Sequence, residues 1–244
     1  MANSVHYRDR ACLDGMRGYP YVDDDNSSRI QSTPESVFRK SVRHLLLYEV
    51  SLQAANFIIS ASSSVEDLWI LAERHSLLPI IGALPLKRLH CSLQILFGHA
   101  AQIDFAHPLF SRLTHLELFD TVPWTGVTDL ALIPHLSHLC FTQNGFLSDS
   151  LPILSTCKSL RVLVFLTLDE SDPPRLVEEY SALTQLAKDP RFVMMACDNF
   201  DWQMGALTGT DYWSRAEDFI AKRVSGQIDP LQYMIEGDES ENLV

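Results

Sequence analysis

Residues 113–118, Leu-Thr-His-Leu-Glu-Leu, carry the pattern that decides the fold: an apolar residue, two of any kind, an apolar residue, one of any kind, and another apolar residue. The pattern occurs six times, as Val42-Leu45-Leu47, Val65-Leu68-Ile70, Leu86-Leu89-Cys91, Leu113-Leu116-Leu118, Leu136-Leu139-Phe141 and Leu160-Leu163-Phe165. The middle members are 23, 21, 27, 23 and 24 residues apart. Leucine-rich repeats of about 20–29 residues have this spacing, whereas a βαβ unit of a doubly wound sheet usually takes about 30 residues or more. The spacing therefore favours short repeats that each contribute one strand.

Each predicted strand needs a return segment that covers the other side of its core. We predict returns at Leu52–Ser60, Leu77–Leu84, Ile103–Phe110, Asp129–Ile133 and Asp149–Cys157. For the last return, Ser148 or Asp149 is the expected N-cap, with Pro152 in the first turn. Leucine-rich repeats commonly place Asn or Cys three residues after the last strand leucine. Here only Asn144 fits that position, so we expect irregular repeats.

The predicted fold is α/β: a short, irregular leucine-rich-repeat-like solenoid of about six repeats with parallel strands and an α/β C-terminal cap. Residues 1–40 lack periodicity and are predicted to be disordered, residues 41–168 form the solenoid, and residues 229–244 form an acidic tail. Residues 169–228 form the cap, with an amphipathic helix at 173–188, a strand at Phe192–Cys197 and a final helix. Asp211 is the expected N-cap of the final helix, and Gly226 marks its end.

Charge and hydropathy exclude several classes of protein. The net charge is −12, and residues 169–244 carry sixteen acids against six bases. Because this acidity repels phosphate backbones, we expect no nucleic-acid partner. The longest apolar run, residues 77–86, is half the length of about 20 residues that a membrane span needs, so we expect no membrane partner. Five scattered cysteines without a C-x-x-C pair and the lack of a secretory signal indicate an intracellular protein of the cytoplasm or nucleus.

Motifs for catalysis are lacking in the sequence. It contains no Gly-rich phosphate loop and no Gly-x-Ser-x-Gly elbow, so we expect no enzyme activity and no cofactor. The nearest approach to a metal site is His115 and His138 on successive strands, with Glu117 and Cys140 close by. Duplication of a His-Leu dipeptide with the repeat explains these histidines more simply, so we predict no metal ligands. A metal-dependent enzyme stays as the remote alternative.

Alignment of the six motifs places outward-facing side chains in rows across the strands. These rows contain the apolar and aromatic residues Leu46, Tyr48, Trp69, Leu71 and Phe119, and we predict that they form an exposed partner-binding patch at the N-terminal half of the concave strand face. The predicted partner-binding residues are Leu46, Tyr48, Trp69, Leu71, His90, His115, Glu117, Phe119 and His138. The predicted function is that of a non-enzymatic protein–protein interaction module.

Several longer stretches carry a family resemblance. They are residues 42–50 (VRHLLLYEV), 113–120 (LTHLELFD), 156–163 (TCKSLRVL), 189–193 (DPRFV) and 211–221 (DYWSRAEDFIA). Together they resemble a family of leucine-rich-repeat-like proteins from mushroom-forming fungi, over roughly residues 40–235. Many members carry an N-terminal F-box, which implies docking to a Skp1-type adaptor, although no F-box is evident in residues 1–41. The alternative function is therefore the substrate-recognition subunit of a Skp1-cullin-type ubiquitin ligase that lacks a recognisable F-box.

Overall fold

The computed structural model describes residues 3–7, 42–48, 50–71, 75–98, 102–120, 126–142, 146–167, 182–196 and 201–235. The chain divides into two compact units. Unit 1 comprises residues 1–116 and 132–135, and unit 2 comprises residues 117–131 and 136–244. Within the described ranges, no helix combines the length and the apolar character needed to cross a membrane.

Unit 1 is built from parallel strands that pair in the order of the sequence. β1 (Asn3–Tyr7) pairs with β2 (Val42–Tyr48), β2 with β3 (Asp67–Leu71), and β3 with β4 (Arg88–Cys91). The returns after β2 and β3 are α1 (Leu52–Ala61) and α2 (Leu78–Ile81), the latter preceded by a 3₁₀ turn at His75–Leu77. After β4 come α3 (Leu93–Phe97) and a 3₁₀ turn at Pro108–Phe110.

The core of unit 1 follows from the alternation within the motif. Leu45, Leu47, Leu68 and Leu89 are completely buried, as expected for the middle and last apolar positions. Ser51 begins α1 by accepting a hydrogen bond from the backbone N–H of Ala54 on its side chain.

A backbone ladder joins the starts of the repeats in unit 1. The N–H of Glu66 donates to the carbonyl of Arg43, that of Lys87 donates to Glu66, and that of Thr114 donates to Lys87. All four residues occupy the second position of their motif copy, so the repeat in sequence is also a repeat in hydrogen bonding.

Unit 2 has the same alternation of parallel strands and helices. The division between the units falls within β5 (His115–Leu118), which a 3₁₀ segment at Val127–Leu132 follows. β6 (His138–Phe141), β7 (Val162–Thr167), β8 (Phe192–Ala196) and β9 (Met234–Ile235) pair successively and in parallel. The helices are α4 (Leu147–Thr156), α5 (Ala182–Leu186), α6 (Asp201–Thr208) and α7 (Tyr212–Val224).

The strands of unit 2 are buried on both faces. On one face a row of aromatic contacts runs from Phe146 through Phe141 and Phe165 to Phe192, with ring centroids 4.4, 5.3 and 5.8 Å apart. On the other face α7 packs onto the strands in one cluster of buried side chains, to which the strands contribute Cys140, Val162, Val164, Leu166, Val193 and Met195 and the helix contributes Tyr212, Trp213, Ala216 and Phe219. Parallel sheets are normally covered on both faces in this way.

Helix α7 is fixed at both ends. Asp211 and Ser214 form a capping box at its start. At its end, the buried Arg223 donates to the carbonyl oxygens of Ala187, Phe192 and Pro230 at 2.6, 2.8 and 2.7 Å. Gly226 adopts φ 73° just beyond the C-cap, a conformation that glycine adopts without strain.

The structure confirms an α/β fold in which parallel strands alternate with helical segments, and each of the six motif copies contains a strand. The Asp211 cap, the helix end near Gly226 and the strand from Phe192 agree with the sequence prediction. One prediction was wrong: α4 begins at Leu147 after Phe146, so neither Ser148 nor Asp149 is its N-cap, and Pro152 lies inside the helix.

Three further observations concern the ends of the chain. β1 lies in the segment predicted to be disordered, and its backbone hydrogen bonds come from pairing with β2, which local periodicity does not reveal. β9 lies in the predicted acidic tail and pairs with β8. Helix α7, predicted as part of the C-terminal cap, packs against side chains of β6, β7 and β8. The rest of 1–41, most of the helix predicted at 173–188 and residues 236–244 lie outside the described residues.

Candidate functional site

The strand face of unit 1 presents the side chains that sequence alignment placed there. His44 is the register partner of Asp67, and Asp67 is the partner of Arg88. In the next outward-facing row, Leu46 pairs with Trp69 and Trp69 with His90. The rows deduced from the repeat are therefore the rows of the sheet in unit 1.

Exposure along this face is graded. Leu46 and His90 are buried, Trp69 is half-buried, and Leu71 at the end of β3 is 37% exposed. The side chain of Tyr48, which was also predicted to bind a partner, lies outside the described residues. Trp69 and Leu71 therefore supply the accessible apolar surface among the described predicted residues on β2, β3 and β4.

A carboxylate bound by two histidines lies beside this apolar row. His44 Nδ1 is 3.1 Å from Asp67 Oδ2, and His90 Nε2 is 3.2 Å from Asp67 Oδ1. Because an ionised carboxylate only accepts hydrogen bonds, His44 Nδ1 is the donor to Asp67 Oδ2, whereas His90 Nε2 lies at ion-pair distance from Asp67 Oδ1. The cluster ties β2, β3 and β4 together through their side chains.

Asp67 is ionised although it is buried. Burial is the largest single influence on the pKa of its carboxyl group and acts to raise it, but the polar and electrostatic interactions with His44 and His90 together outweigh burial. Its pKa consequently lies well below the ordinary value for aspartate. The strand face of unit 1 thus contains a buried, ionised carboxylate flanked by two imidazole rings.

A second charged group links the starts of the same strands. Glu66 accepts from Lys87 at 2.7 Å and from Arg43 at 2.9 Å, and all three side chains are substantially exposed. The hydrogen bond from Lys87 lowers the pKa of Glu66, against a smaller opposing effect of burial. Exposed pairs of this kind contribute little to stability.

In unit 2 the equivalent face is covered by α7. Tyr212 donates its hydroxyl to Glu117 Oε2 at 3.1 Å, and His138 Nε2 lies 3.1 Å from Glu217 Oε1. The ring of Trp213 meets that of His138 edge-on, with centroids 5.6 Å apart. Glu117 and His138, both predicted to bind a partner, are therefore buried beneath a helix of the same unit.

The remaining predicted residues, His115 and Phe119, are half-buried. Thr114 donates its hydroxyl to the carbonyl of Lys87, so at 2.8 Å it accepts from His115 Nδ1. His138 Nε2 lies 3.1 Å from Glu217 Oε1, and its Nδ1 lies 2.8 Å from the hydroxyl oxygen of Ser137. The imidazoles of the two His-Leu copies therefore have different partners, and they belong to different units.

The sequence prediction did not single out the His44–Asp67–His90 cluster. Its signal was present, because the aligned motifs place His44 beside Asp67 and His90 one row further along the next strand. Within the described ranges, no group of three His, Cys, Asp or Glu side chains is arranged to hold a metal ion. Comparisons with protein-family models, with curated proteins and with solved structures found no match.

Proposed function

We propose that this protein is a protein–protein interaction module whose partner binds the strand face of unit 1 around Trp69 and Leu71. The observation that carries the proposal is the partial exposure of these two apolar side chains on strand β3. Strand positions of a parallel sheet are normally covered, and an accessible Trp on such a face is a typical anchor for a partner.

The contrast between the faces of the two units supports the same choice of site. In unit 2 the outward row is apolar at Cys140 and Val164, and α7 seals it. In unit 1 the row next to Trp69 is charged, with Asp67 paired to Arg88 in register. Asp67 is itself buried, but the partly exposed His44 and Arg88 of this row are compatible with a polar partner, whereas the apolar row in unit 2 requires permanent cover.

We also propose that the repeats stack in the manner of a leucine-rich-repeat solenoid. The spacing of 21 to 27 residues and the backbone ladder from Arg43 through Glu66 and Lys87 to Thr114 support this architecture. The resemblance to the fungal leucine-rich-repeat-like family agrees with it. Recognition of a protein on a strand face is the usual activity of such arrays.

The test is affinity purification of the tagged chain from a fungal lysate, followed by mass spectrometry, with Trp69→Ala compared with wild type. Phe57→Ala is the matched control, because Phe57 is a 43% exposed aromatic residue of unit 1 that lies on helix α1 instead of a strand. Circular dichroism should first show that both variants fold. The proposal requires a partner whose affinity falls about tenfold or more with Trp69→Ala, as for an aromatic anchor of about 2 kcal/mol, but not with Phe57→Ala.

The identity of the captured protein decides between the two binding functions. A Skp1-type adaptor that is retained by both variants would support the ubiquitin-ligase alternative, with the adaptor bound away from Trp69. A partner that is lost only with Trp69→Ala would support a stand-alone module. Equal recovery of every partner by wild type and Trp69→Ala would refute the proposed site.

A further inference from the structure

The starts of the strands in unit 1 carry positive charge, although the chain as a whole has a net charge of −12. The described residues of unit 1 include four Lys or Arg side chains and three Asp or Glu side chains. The bases are Arg43, Lys87, Arg88 and Arg112, and the acids are Glu66, Asp67 and Asp104. Three of the four bases lie at the second or third position of a motif copy. Positive charge is therefore concentrated where the strands of the proposed binding face begin.

Two of these cations share one carboxylate. Arg43 Nη1 lies 2.9 Å from Glu66 Oε1, and Lys87 Nζ lies 2.7 Å from Glu66 Oε2. One negative charge offsets one of the two positive charges, so the group retains a net positive charge. The side chains of Arg43 and Lys87 are 48% and 60% exposed, which makes this charge accessible from solvent.

The two cations also keep hydrogen-bond donors for a partner. Within the described residues, the side chain of Arg43 donates through Nη1 alone, to Glu66 and to the carbonyl of Ser64. Its Nε and Nη2 remain, and a guanidinium uses such a fork to bind a carboxylate through two bonds. Lys87 has three N–H donors, and in the same part of the chain one of them reaches Glu66. The group therefore has both the charge and the donors to bind a second carboxylate.

The apolar anchor lies within reach of the same ligand. Trp69 and Leu71 follow Glu66 by three and five residues along β3. At about 3.3 Å per strand residue, these positions are about 10 and 16 Å from Glu66. We propose that the partner presents an acidic segment, whose carboxylates meet Arg43 and Lys87 and whose apolar side chains, three and five residues further along, meet Trp69 and Leu71. This inference rests on the proposed function, because it specifies the partner of the same face.

The net negative charge of the whole chain does not prevent such binding. Charges in solvent are largely screened beyond about 8 Å at physiological ionic strength. A ligand next to Glu66 therefore responds to Arg43 and Lys87 more strongly than to acids elsewhere in the chain. For the same reason, added salt should weaken the binding of an acidic ligand.

The test compares two fluorescent peptides that differ only in charge. The acidic probe is Glu-Glu-Ser-Gly-Phe-Ser-Leu, which repeats the spacing from Glu66 to Trp69 and Leu71, and the basic probe has Lys in place of both Glu residues. Fluorescence polarisation with the full chain measures the dissociation constant of each peptide. We expect the acidic probe to bind about tenfold more tightly at low salt, since each exposed ion pair changes an affinity about two- to fivefold.

Three variants separate the effect of charge from an effect on the fold, which circular dichroism monitors. Lys87→Gln removes a cation and should lower the ratio of the two affinities about threefold, whereas Glu66→Gln removes the competing carboxylate and should raise that ratio about threefold. If the Arg43–Glu66–Lys87 group only ordered the strands, Glu66→Gln would weaken both peptides alike, which would contradict the inference. Lys158→Gln removes an exposed cation of unit 2 and is the matched control, for which we expect an unchanged ratio.

Trp69→Ala distinguishes this inference from the function on which it rests. It should weaken both peptides about equally, since it removes the apolar anchor and no charge. If Trp69→Ala weakens both peptides but wild type binds them equally, the acidic partner is ruled out and the proposed site stands. If Trp69→Ala weakens neither peptide, both the site and the inference are wrong. An acidic probe that does not bind wild type would also overturn the inference.

Discussion

Replacing Arg223 tests what holds α7 in place on unit 2. Its guanidinium is buried and binds the backbone carbonyls of Ala187, Phe192 and Pro230 at 2.6 to 2.8 Å. These carbonyls come from the turn after α5, from β8 and from the segment that leads to β9. One side chain therefore joins α7 to three separate parts of the unit.

The expected loss of stability on replacing Arg223 follows from its three short hydrogen bonds. At about 1.5–3 kcal/mol for each hydrogen bond to a charged group, the three bonds together stabilise the fold by about 5–9 kcal/mol. The cost of removing the guanidinium from water offsets several kcal/mol of this stabilisation. We therefore expect Arg223→Met to lower the free energy of unfolding by about 2–4 kcal/mol. Arg223→Lys should lose most of the same amount, because one ammonium group does not reproduce the planar fork of donors.

The assay is equilibrium urea unfolding followed by tryptophan fluorescence, since Trp213 lies at the start of α7 and is buried. Lys222→Met is the matched control: it removes the neighbouring exposed cation, whose bond to Asp218 should contribute less than about 0.5 kcal/mol. If Arg223→Met and Lys222→Met have the same effect, the carbonyl contacts do not hold α7, and the reasoning fails.

Three further predictions concern the N-cap of α7, the close contact between Gly205 and Asp211, and the loss of stability at low pH. Asp211→Ala should destabilise unit 2 by about 1 kcal/mol through loss of the capping box, measured as a urea midpoint, while Asp211→Asn should retain most of the cap. Gly205→Ala should cost about 1–3 kcal/mol in the same assay, because the added Cβ would stand 2.5 Å from the Cβ of Asp211, and unchanged stability would mean that α6 shifts freely. Since the folded pKa of Asp67 is lowered, its stabilisation is present above about pH 4 and is lost as pH falls, so wild type should lose more stability than Asp67→Asn between pH 5 and pH 3.

The repeat predicted the strands well because it encodes a physical requirement. The alternation that buries Leu45 and Leu47 while turning Leu46 outward fixes the strand and its register together, since a slip by one residue would exchange the two faces. The register observed between β2 and β3 is the one obtained by aligning the motifs. The start of α7 could be predicted equally well from the sequence, because Asp211 caps the helix through local contacts alone.

The position of α7 was not predicted. An amphipathic stripe indicates that one face of a helix is buried, but it does not identify the surface against which that face packs. A signal was nevertheless present in β7, where residues 162–166 read Val-Leu-Val-Phe-Leu and all five are buried. A strand without polar alternation is covered on both faces, so a helix had to lie over Val162 and Val164. The His44–Asp67–His90 cluster was not predicted for another reason. A diagonal contact between neighbouring strands depends on side-chain rotamers, which the spacing of the motifs in the sequence does not specify.

The chemistry of the outward rows limits what can bind unit 1. In unit 2 the face under α7 is lined by Cys140, Val164 and other apolar side chains, so an apolar helix face covers it at little cost. In unit 1 the row beside Trp69 contains the partly exposed His44 and Arg88 as well as the buried Asp67, and covering their polar groups with apolar surface would remove their hydration. A partner therefore has to place its apolar contacts on Trp69 and Leu71 and bring polar groups to His44 and Arg88. This requirement excludes a second helix with the apolar face of α7 and favours a segment of mixed character.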